Sequence, residues 1–299
     1  MYIFIINPCA GNQRAEKIWS QLSRYLDRRE ISYHYYMTKY PRHAVQLTQS
    51  AIQQEKEIDA IVAIGGDGTV NEVIEGMVTS TIPFGYIPAG SGNDFARYYQ
   101  IPSHPIEAFE IIMKKKTISI DIGKMTNGYF VSSLGAGFDA QIALKTNRSF
   151  YKKWLNLLGI GKLSYVITVL KEIFLYVPTS LKIIINEKEF HYSKVWFAAV
   201  TNIPYYGGGM KISPNAVPND GMLEVIIVSQ LNRWQLLRFF PQVFKGTHIH
   251  LPQVKVLYGS EITVNMEPST PVHADGEIKG ETPIKITLLQ QKMNIIVPE

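Results

Sequence analysis

The strongest constraint on the fold is a regular alternation of apolar strands and helical stretches through the first 115 residues. The runs YIFIIN, ISYHYYMT, DAIVAIGG and FGYIP have the composition of strands, and predicted helices follow them at 13–30, 42–56, 70–79 and near 105–115. In the first helix, Ile18, Leu22 and Leu26 share one face. Strands that alternate with helices pair in parallel and are covered by those helices. The sequence therefore predicts an α/β domain with a parallel sheet over residues 1–122.

The pattern changes after Lys116. Short β-rich runs, among them TISIDIGKM, SLKIIIN, GMLEVIIVSQ and IKITLLQ, are separated by Gly, Pro, Asn and Asp. Many short strands divided by turn residues are typical of antiparallel sheets. We therefore predict a second, antiparallel β domain over residues 123–286, with a helical insertion at 147–176 and a further helix at 231–245.

Composition sets a few limits on location and class. Cys9 is the single cysteine, which excludes an intramolecular disulfide and a cysteine-rich zinc site. The start of the chain does not resemble a signal peptide, and the apolar stretch 154–177 is interrupted by Lys162, Lys171 and Glu172. A spanning helix needs roughly 20 nearly uncharged residues. We expect a cytoplasmic protein that is at most peripherally associated with the membrane.

Three loops with glycine and polar residues each follow a predicted strand: NPCAGN (7–12), GGDGTVNEVI (65–74) and PAGSGNDFAR (88–97). Glycine lets backbone N–H groups approach a phosphate, and the start of a helix adds a favourable dipole. Ligands of open α/β sheets bind beyond the carboxyl ends of the strands. These loops therefore predict a phosphate site, although none has the spacing of a P-loop or of a dinucleotide fingerprint.

Asp67, in the middle of the second loop, cannot bind a phosphate by itself because two anions repel each other. It becomes useful if Mg²⁺ lies between the carboxylate and the phosphates of a nucleotide. A purely structural alternative is a capping box, in which Thr69 and Glu72 cap the following helix. Similarly, Asn93 or Asp94 would simply be the N-cap of its helix.

Four motifs together point to one family. GGDGTVNEVIEG, PAGSGNDFAR, YYGGGMKISPNAVPNDGMLEV and HADGE occur in the order and at the spacings found in bacterial lipid kinases of the diacylglycerol kinase catalytic-domain type. The chain resembles this family, which is related to sphingosine and ceramide kinases, along essentially its whole length. The resemblance implies an α/β nucleotide domain followed by a β-sandwich, with ATP in the cleft between them. It also implies that a C-terminal segment at about 287–299 packs back on the first domain.

The resemblance also implies roles for individual residues. Asp67, Asp94 and Glu277 resemble a carboxylate network for a catalytic Mg²⁺, and Asp275 and Glu277 are the candidates for the general base, with Asp275 favoured. The implied nucleotide contacts are Asn7, Thr38, Gly65, Gly66, Asp67, Gly68, Thr69, Asn71, Glu72 and Ser91. The chain departs from the family pattern at Arg42, where glycine is usual, and at Ser91, where threonine is commoner.

VPNDGMLEV (217–225) resembles a loop that binds a structural Mg²⁺. The implied ligands are the Asp220 carboxylate and the backbone carbonyls of Val217 and Met222, with water completing the shell. The alternative for Asn219-Asp220-Gly221 is a plain hairpin turn.

The segment 150–177 combines lysines with Trp154 and many aliphatic residues. An interfacial helix on an anionic membrane has this mixture, but a helix pair packed on the β domain has it too. Both interpretations stay open at the level of the sequence.

Three functions from different classes remain. The leading hypothesis is an ATP-dependent kinase that transfers the γ-phosphoryl group to a lipid hydroxyl, with diacylglycerol or a related lipid such as phosphatidylglycerol as acceptor. An NAD kinase shares GGDGT, but GSGND, GGGMKI and DGE argue against it. A non-catalytic lipid- or nucleotide-binding regulator would be expected to lose some of the acids that this chain retains, namely Asp67, Asp94, Asp275 and Glu277. We expect no nucleic-acid partner, and the sequence leaves a homodimer open.

Overall fold

A computed structural model of the chain describes residues 1–148 and 169–299. Its first part is a parallel sheet in the order β4-β3-β1-β2 with helices on both faces, as the sequence predicts. The strands are β1 (Tyr2–Ile6), β2 (Tyr33–Met37), β3 (Ala60–Gly65) and β4 (Phe84–Pro88). The helices are α1 (Arg14–Arg28), α2 (His43–Gln54), α3 (Asp67–Met77), α4 (Asp94–Tyr98) and α5 (Pro105–Lys114).

The inner strands of this sheet are apolar on both sides because both of their faces are covered. Every residue of β1 and β3 is buried, and the two strands pair in parallel, with Ile5 opposite Ala63. Helix α1 contributes Leu22 and Leu26, both without any exposed surface. Parallel strands covered by helices are normally continuous apolar runs of this kind.

The second part is antiparallel and forms a sandwich, which confirms the predicted fold class. Its strands are β5 (Thr117–Met125), β6 (Gly128–Phe130), β7 (Ser133–Gly137), β8 (Thr179–Ile185), β9 (Lys188–Thr201), β10 (Leu223–Ser229), β11 (Val254–Gly259), β12 (Glu261–Glu267), β13 (Pro271–Ala274), β14 (Glu277–Glu281) and β15 (Ile284–Ile296). Leu134, Val200 and Ile262 belong to the core that these strands share. In β10, Leu223, Val225 and Ile227 alternate with residues that face the other side of the sheet.

Two long strands run through both parts of the molecule. The second half of β5 pairs with the first half of β15 in the sandwich, with Met125 opposite Ile286. The first half of β5 pairs with the end of β15, where Ile295 also lies beside Phe84 of β4 in parallel. Ile295 is buried in the core of the first part.

Helices cover the outer face of β9 and β10. They are α6 (Phe138–Arg148), a helical segment at 169–175 and α7 (Arg233–Lys245), followed by a short 3₁₀ helix (Thr247–His250). Phe138, Ile173 and Leu236 from these helices form a third core with Trp196 of β9. The indole N–H of Trp196 donates a hydrogen bond of 2.9 Å to the carbonyl of Leu231, which fixes the start of α7.

Some helix bounds differ from the sequence prediction. The helix expected at 70–79 begins three residues earlier, at Asp67, because Gly66 is its N-cap and an acid in the first turn is favoured by the helix dipole. Most of the helical insertion predicted at 147–176 lies outside the described residues. Within 1–148 and 169–299, no helix has both the length and the apolar character needed to cross a bilayer.

Candidate active site

Three loops meet at the carboxyl edge of the parallel sheet, because β1, β3 and β4 are neighbours that run in one direction. The side-chain amide of Asn7 donates to the hydroxyl of Thr69 at 3.2 Å. The backbone N–H groups of Ala89 and Gly90 both donate to the carbonyl of Gly65, at 2.7 and 2.9 Å. The loops are therefore bound to one another through groups close to the backbone.

Glycine is required where two of these loops touch. A Cβ atom on Gly90 would lie 2.5 Å from the Cα of Gly66, which is closer than such atoms approach in proteins. A side chain at position 90 would push the second and third loops apart. Their N–H groups could then no longer converge on a single ligand.

The capping box expected in the second loop is wrong, whereas in the third loop Asn93 is the N-cap residue of α4, as its structural alternative predicts. The N-cap of α3 is Gly66, with no side-chain cap, and Thr69 lies inside the helix. Glu72 instead accepts the N–H groups of Arg42 and Ala44, at 3.0 and 3.1 Å, so it caps α2 rather than its own helix. Asn93 precedes α4 but makes no side-chain cap either.

Asp67 and Asp94 begin two helices that point at the same space. Asp67 Oδ1 accepts the N–H of Phe95 at 3.1 Å. Burial raises the pKa of Asp67, and the nearby Asp94 raises it further. Asp94 Oδ2 accepts the N–H of Gly208 at 2.7 Å, which links the third loop to the glycine run at 207–209.

Asp275 lies in the turn between β13 and β14, with a left-handed backbone (φ 48°). Its Oδ1 accepts the N–H groups of Ser132 and Ser133, at 3.0 and 2.9 Å, and its Oδ2 accepts that of Val131 at 2.8 Å. With its amide oriented to donate, Asn71 lies 3.1 Å from Oδ2. Burial raises the pKa of Asp275 to about 6 and Asp67 adds to the rise, although the backbone donors act against it.

Glu277, two residues further on, has a different environment. Its Oε2 lies 3.0 Å from the Nζ of Lys279, and the lysine side chain is only 6% exposed against 33% for the glutamate. Its Oε1 lies beside Gly68. The two acids of this turn therefore differ, since one is held by backbone donors and the other by a cation.

A cavity of about 340 Å³ opens beside the acids, and Asp67, Asp94 and Asp275 form part of its wall. The rest of the wall is mostly apolar and comes from the sandwich and the helices that cover it. Its apolar lining includes Phe138, Ile142, Ile173, Ile212, Val228 and Leu236. The side chains of His273 and Asp139, with Nε2 3.2 Å from Oδ2, also line the cavity.

Comparison with known proteins decides the family. Residues 1–125 match the model of the diacylglycerol kinase catalytic domain, and residues 132–297 match that of the YegS C-terminal NAD kinase beta sandwich-like domain. The chain belongs to the diacylglycerol kinase family of lipid kinases. It is therefore an enzyme of the kinase class.

Curated relatives and solved structures agree with this assignment. The kinase is 31% identical over 300 residues to the Bacillus subtilis protein named "Putative lipid kinase YtlR", covering 95% of this chain and 96% of that protein. It is 31% identical over 249 residues to a diacylglycerol kinase of Mycobacterium tuberculosis, covering 81% and 78%. A crystal structure of "a putative diacylglycerol kinase from Bacillus anthracis" has the same fold, with a TM-score of 0.81 at 23% identity, covering 99% and 95%.

The acids fit a magnesium ion only together with a phosphate ligand. Among the described residues, no three His, Cys, Asp or Glu side chains are grouped so as to hold a metal by themselves. Mg²⁺ usually binds through one or two carboxylates plus substrate phosphates. Asp67 and Asp94, placed next to phosphate-binding loops, match that kind of site.

The loop at 217–222 is not a hairpin turn. It ends a connection of about twenty residues between β9 and β10, which pair with Thr201 opposite Glu224. Asp220 Oδ1 accepts the N–H of Met222 at 2.9 Å, and the residue is exposed. The loop thus offers one carboxylate plus carbonyl oxygens, a donor set that fits a largely hydrated hard cation.

The remaining sequence-predicted residues lie around the same sheet edge. The N–H of Thr38 donates to the carbonyl of Ile6 at 2.8 Å, which places it beside Asn7. Ser91 is exposed in the third loop, and Asn71 and Glu72 are buried in α3.

Several residues near the site are not among those predicted from the sequence. Asp121 is 1% exposed, and its two oxygens accept the N–H groups of Gly221 and Gln291, at 2.9 and 2.7 Å. An acid inside the apolar run TISIDIGKM is the signal that could have revealed it, because buried carboxylates need partners. Lys279 and the pair of His273 with Asp139 have no such local signal.

Proposed function

We propose that the kinase transfers the γ-phosphoryl group of ATP to the hydroxyl of a membrane lipid with the polarity of diacylglycerol. The observation that carries the proposal is the cavity, whose wall joins Asp67, Asp94 and Asp275 to a mostly apolar lining. An apolar pocket suits acyl chains, and the acids beside it suit chemistry on a hydroxyl. The names of the relatives support a lipid acceptor.

The three loops hold ATP in this proposal. N–H groups of Gly66 and Gly68 face the phosphates, and the start of α3 contributes its dipole. Asn7, Thr38 and Ser91 contact the rest of the nucleotide. Asp67 and Asp94 would hold Mg²⁺, which would supply positive charge beside the phosphates. Asn71 and Glu72 support the loops from within α3.

Asp275 is the general base in this proposal. It faces the cavity that takes the acceptor, and its pKa of about 6 is close to neutrality, as general-base catalysis requires. A carboxylate oxygen of Asp275 accepts the proton of the acceptor hydroxyl. The hydroxyl oxygen then bonds to the γ-phosphorus while the bond to ADP breaks. Glu277 belongs to the carboxylate network that would position the metal ion.

The test is transfer of label from γ-labelled ATP to diacylglycerol in mixed micelles with Mg²⁺. Asp275→Asn should lower the rate by roughly 10²–10⁴-fold, and kcat/KM of the wild type should rise with pH, with a half-maximal value near 6. Asp139→Asn, at the same cavity, serves as the comparison variant. Full activity of Asp275→Asn would show that Asp275 is not the general base. In a parallel reaction that offers NAD beside the lipid, label on NAD and none on the lipid would reject the lipid acceptor.

The loop at 217–222 is proposed to bind a structural Mg²⁺ through Asp220 and the carbonyls of Val217 and Met222. Its link to the buried Asp121 through the N–H of Gly221 supports a stabilising role. Mg²⁺ without ATP should then raise the melting temperature of the wild type more than that of Asp220→Ala. An equal rise in both proteins would contradict the site.

A further inference from the structure

Two helical segments separate the cavity from solvent, and both have two distinct faces. In α7, Leu236, Phe239 and Val243 line the cavity. In the segment at 169–175, Val169 and Ile173 do the same. The opposite faces of these helices are exposed, so their composition is not explained by packing.

The exposed face of α7 combines aromatic and basic residues. Trp234, Arg238, Pro241 and Lys245 recur every three to four residues and are all exposed, with Trp234 at 72%. Phe244 is 52% exposed at the edge of the same face. The sequence of α7, RWQLLRFFPQVFK, has three basic residues and no acid. A large exposed tryptophan is costly in water unless another phase or partner receives it.

The second segment continues the same surface. Leu170, Phe174 and Leu175 are 43%, 48% and 58% exposed, and Val177 just beyond is 71% exposed. The rings of Phe174 and Trp234 are in contact, with centroids 5.8 Å apart. The guanidinium of Arg233 donates to the carbonyl of Tyr176 at 3.4 Å. The two segments therefore form one surface.

The charges of this surface all have one sign. Glu172 is the single acid in residues 169–177, and it is turned inward, where it is 2% exposed and paired with Lys145 at 2.7 Å. Lys171, Arg233, Arg238 and Lys245 stay exposed. Aromatic side chains ringed by cations match the headgroup region of a bilayer that contains anionic lipids.

From this we infer that the outer faces of α7 and of residues 170–177 form the docking surface of the kinase on an anionic lipid bilayer. Trp234, Phe174 and Phe244 enter the headgroup region, and the cations contact anionic headgroups. The inference rests on the proposed function, because the wall that contacts the bilayer is also the wall of the cavity proposed for the acceptor. Docking on this face would bring the cavity close to the bilayer that holds the acceptor.

The test is sedimentation with vesicles of phosphatidylcholine, with and without phosphatidylglycerol. The wild type should bind the anionic vesicles, and Phe174→Glu/Trp234→Glu should weaken binding roughly tenfold for each aromatic withdrawn. Arg238→Ala/Lys245→Ala should weaken it about fivefold per cation, which corresponds to ~1 kcal/mol each. Tyr35→Glu, at an aromatic residue 51% exposed on β2, is the matched control and should bind as the wild type does.

A second readout separates docking from catalysis. Phe174→Glu/Trp234→Glu should phosphorylate a short-chain, monomerically dissolved diacylglycerol at the wild-type rate and lose activity on the long-chain lipid in vesicles. If the wild-type kinase phosphorylates the dissolved acceptor but does not bind anionic vesicles, the docking surface is wrong and the proposed function stands. Vesicle binding through this surface without transfer to any lipid would support the docking surface and reject the proposed function. If the double variant instead converts a dimer to a monomer and vesicle binding is absent throughout, the surface is a protein interface and the inference is wrong.

Discussion

The nucleotide side of the proposed site is held by backbone groups, whereas the acceptor side is held by apolar side chains. On the first side, loops are joined by bonds such as those from Ala89 and Gly90 to the carbonyl of Gly65. On the second, residues such as Phe138, Val228 and Leu236 come from three different elements. The first kind of site depends on where the chain can turn. The second depends on the volume that side chains leave open.

The difference has a consequence for the effects of mutation. A backbone site is sensitive to any added atom at a loop contact, because the loops cannot move apart without losing their bonds. An apolar site tolerates substitution as long as its volume and shape are kept. Substitutions on the two sides should therefore separate into effects on ATP and effects on the acceptor.

The largest effect is expected for Asp67→Asn. Loss of one carboxylate from the metal site should lower kcat by about 10³-fold. The melting temperature should rise, because burial and Asp94 disfavour the ionised form of Asp67, and an amide keeps the bond to the N–H of Phe95.

The pH dependence checks this explanation. Since the folded protein has the higher pKa at Asp67, the wild type loses stability as pH rises through the interval between the ordinary and the raised value. The gain in melting temperature should be present at neutral pH and vanish in acid. A lower melting temperature at neutral pH would contradict the assigned cause.

Gly90→Val tests the contact between the loops. The added side chain would overlap Gly66, so the free energy of unfolding should fall by ~1–3 kcal/mol. In the protein that remains folded, KM for ATP should rise while KM for the acceptor stays unchanged. An unchanged KM for ATP would show that these loops do not position the nucleotide.

Val228→Phe is the matching change on the acceptor side. Val228 lines the cavity and is 4% exposed, so a phenyl ring would occupy space proposed for acyl chains. KM for a long-chain diacylglycerol should rise roughly tenfold, with a smaller effect on a short-chain acceptor and none on KM for ATP. Equal effects on both acceptors would place the chains elsewhere.

Lys279→Met should have the smallest effect. The ammonium of Lys279 is paired with Glu277 at 3.0 Å and competes with a cation for that carboxylate. The Mg²⁺ concentration for half-maximal activity should fall by roughly threefold, because a partly exposed ion pair contributes a free energy of that order. Lys279→Arg should keep the wild-type value. A higher Mg²⁺ requirement in Lys279→Met would mean that the lysine supports the metal rather than opposes it.

The comparison also explains what could be predicted from the sequence. The parallel sheet was predictable because β1 and β3 are continuous apolar runs that end at turn residues, Asn7-Pro8 after β1 and Gly65-Gly66 at the end of β3. The position of Asp275 was predictable only through its motif. Its three backbone donors come from residues 131–133, far away in the chain, and no local pattern indicates them.

The cavity could not be predicted for a related reason, and for residues 150–177 the sequence left an interfacial helix and a packed helix pair equally open. The apolar residues of α7 have the helical spacing that a core helix also has, so the sequence does not show that the inner face borders a void. Lys279 is another case, because a lysine two residues from a glutamate in a strand is common. Its burial depends on how β14 pairs with β13.

The path of β15 bears on how the protein is made. Phe84 of β4 pairs with Ile295, which is four residues from the end of the chain. During synthesis, the first sheet therefore has an unprotected edge at β4 until the residues up to Ile295 have left the ribosome. An open apolar edge is a site for pairing with other chains. A fragment of residues 1–125, which spans the catalytic-domain match, would keep that edge open permanently, so it should aggregate where the full chain does not.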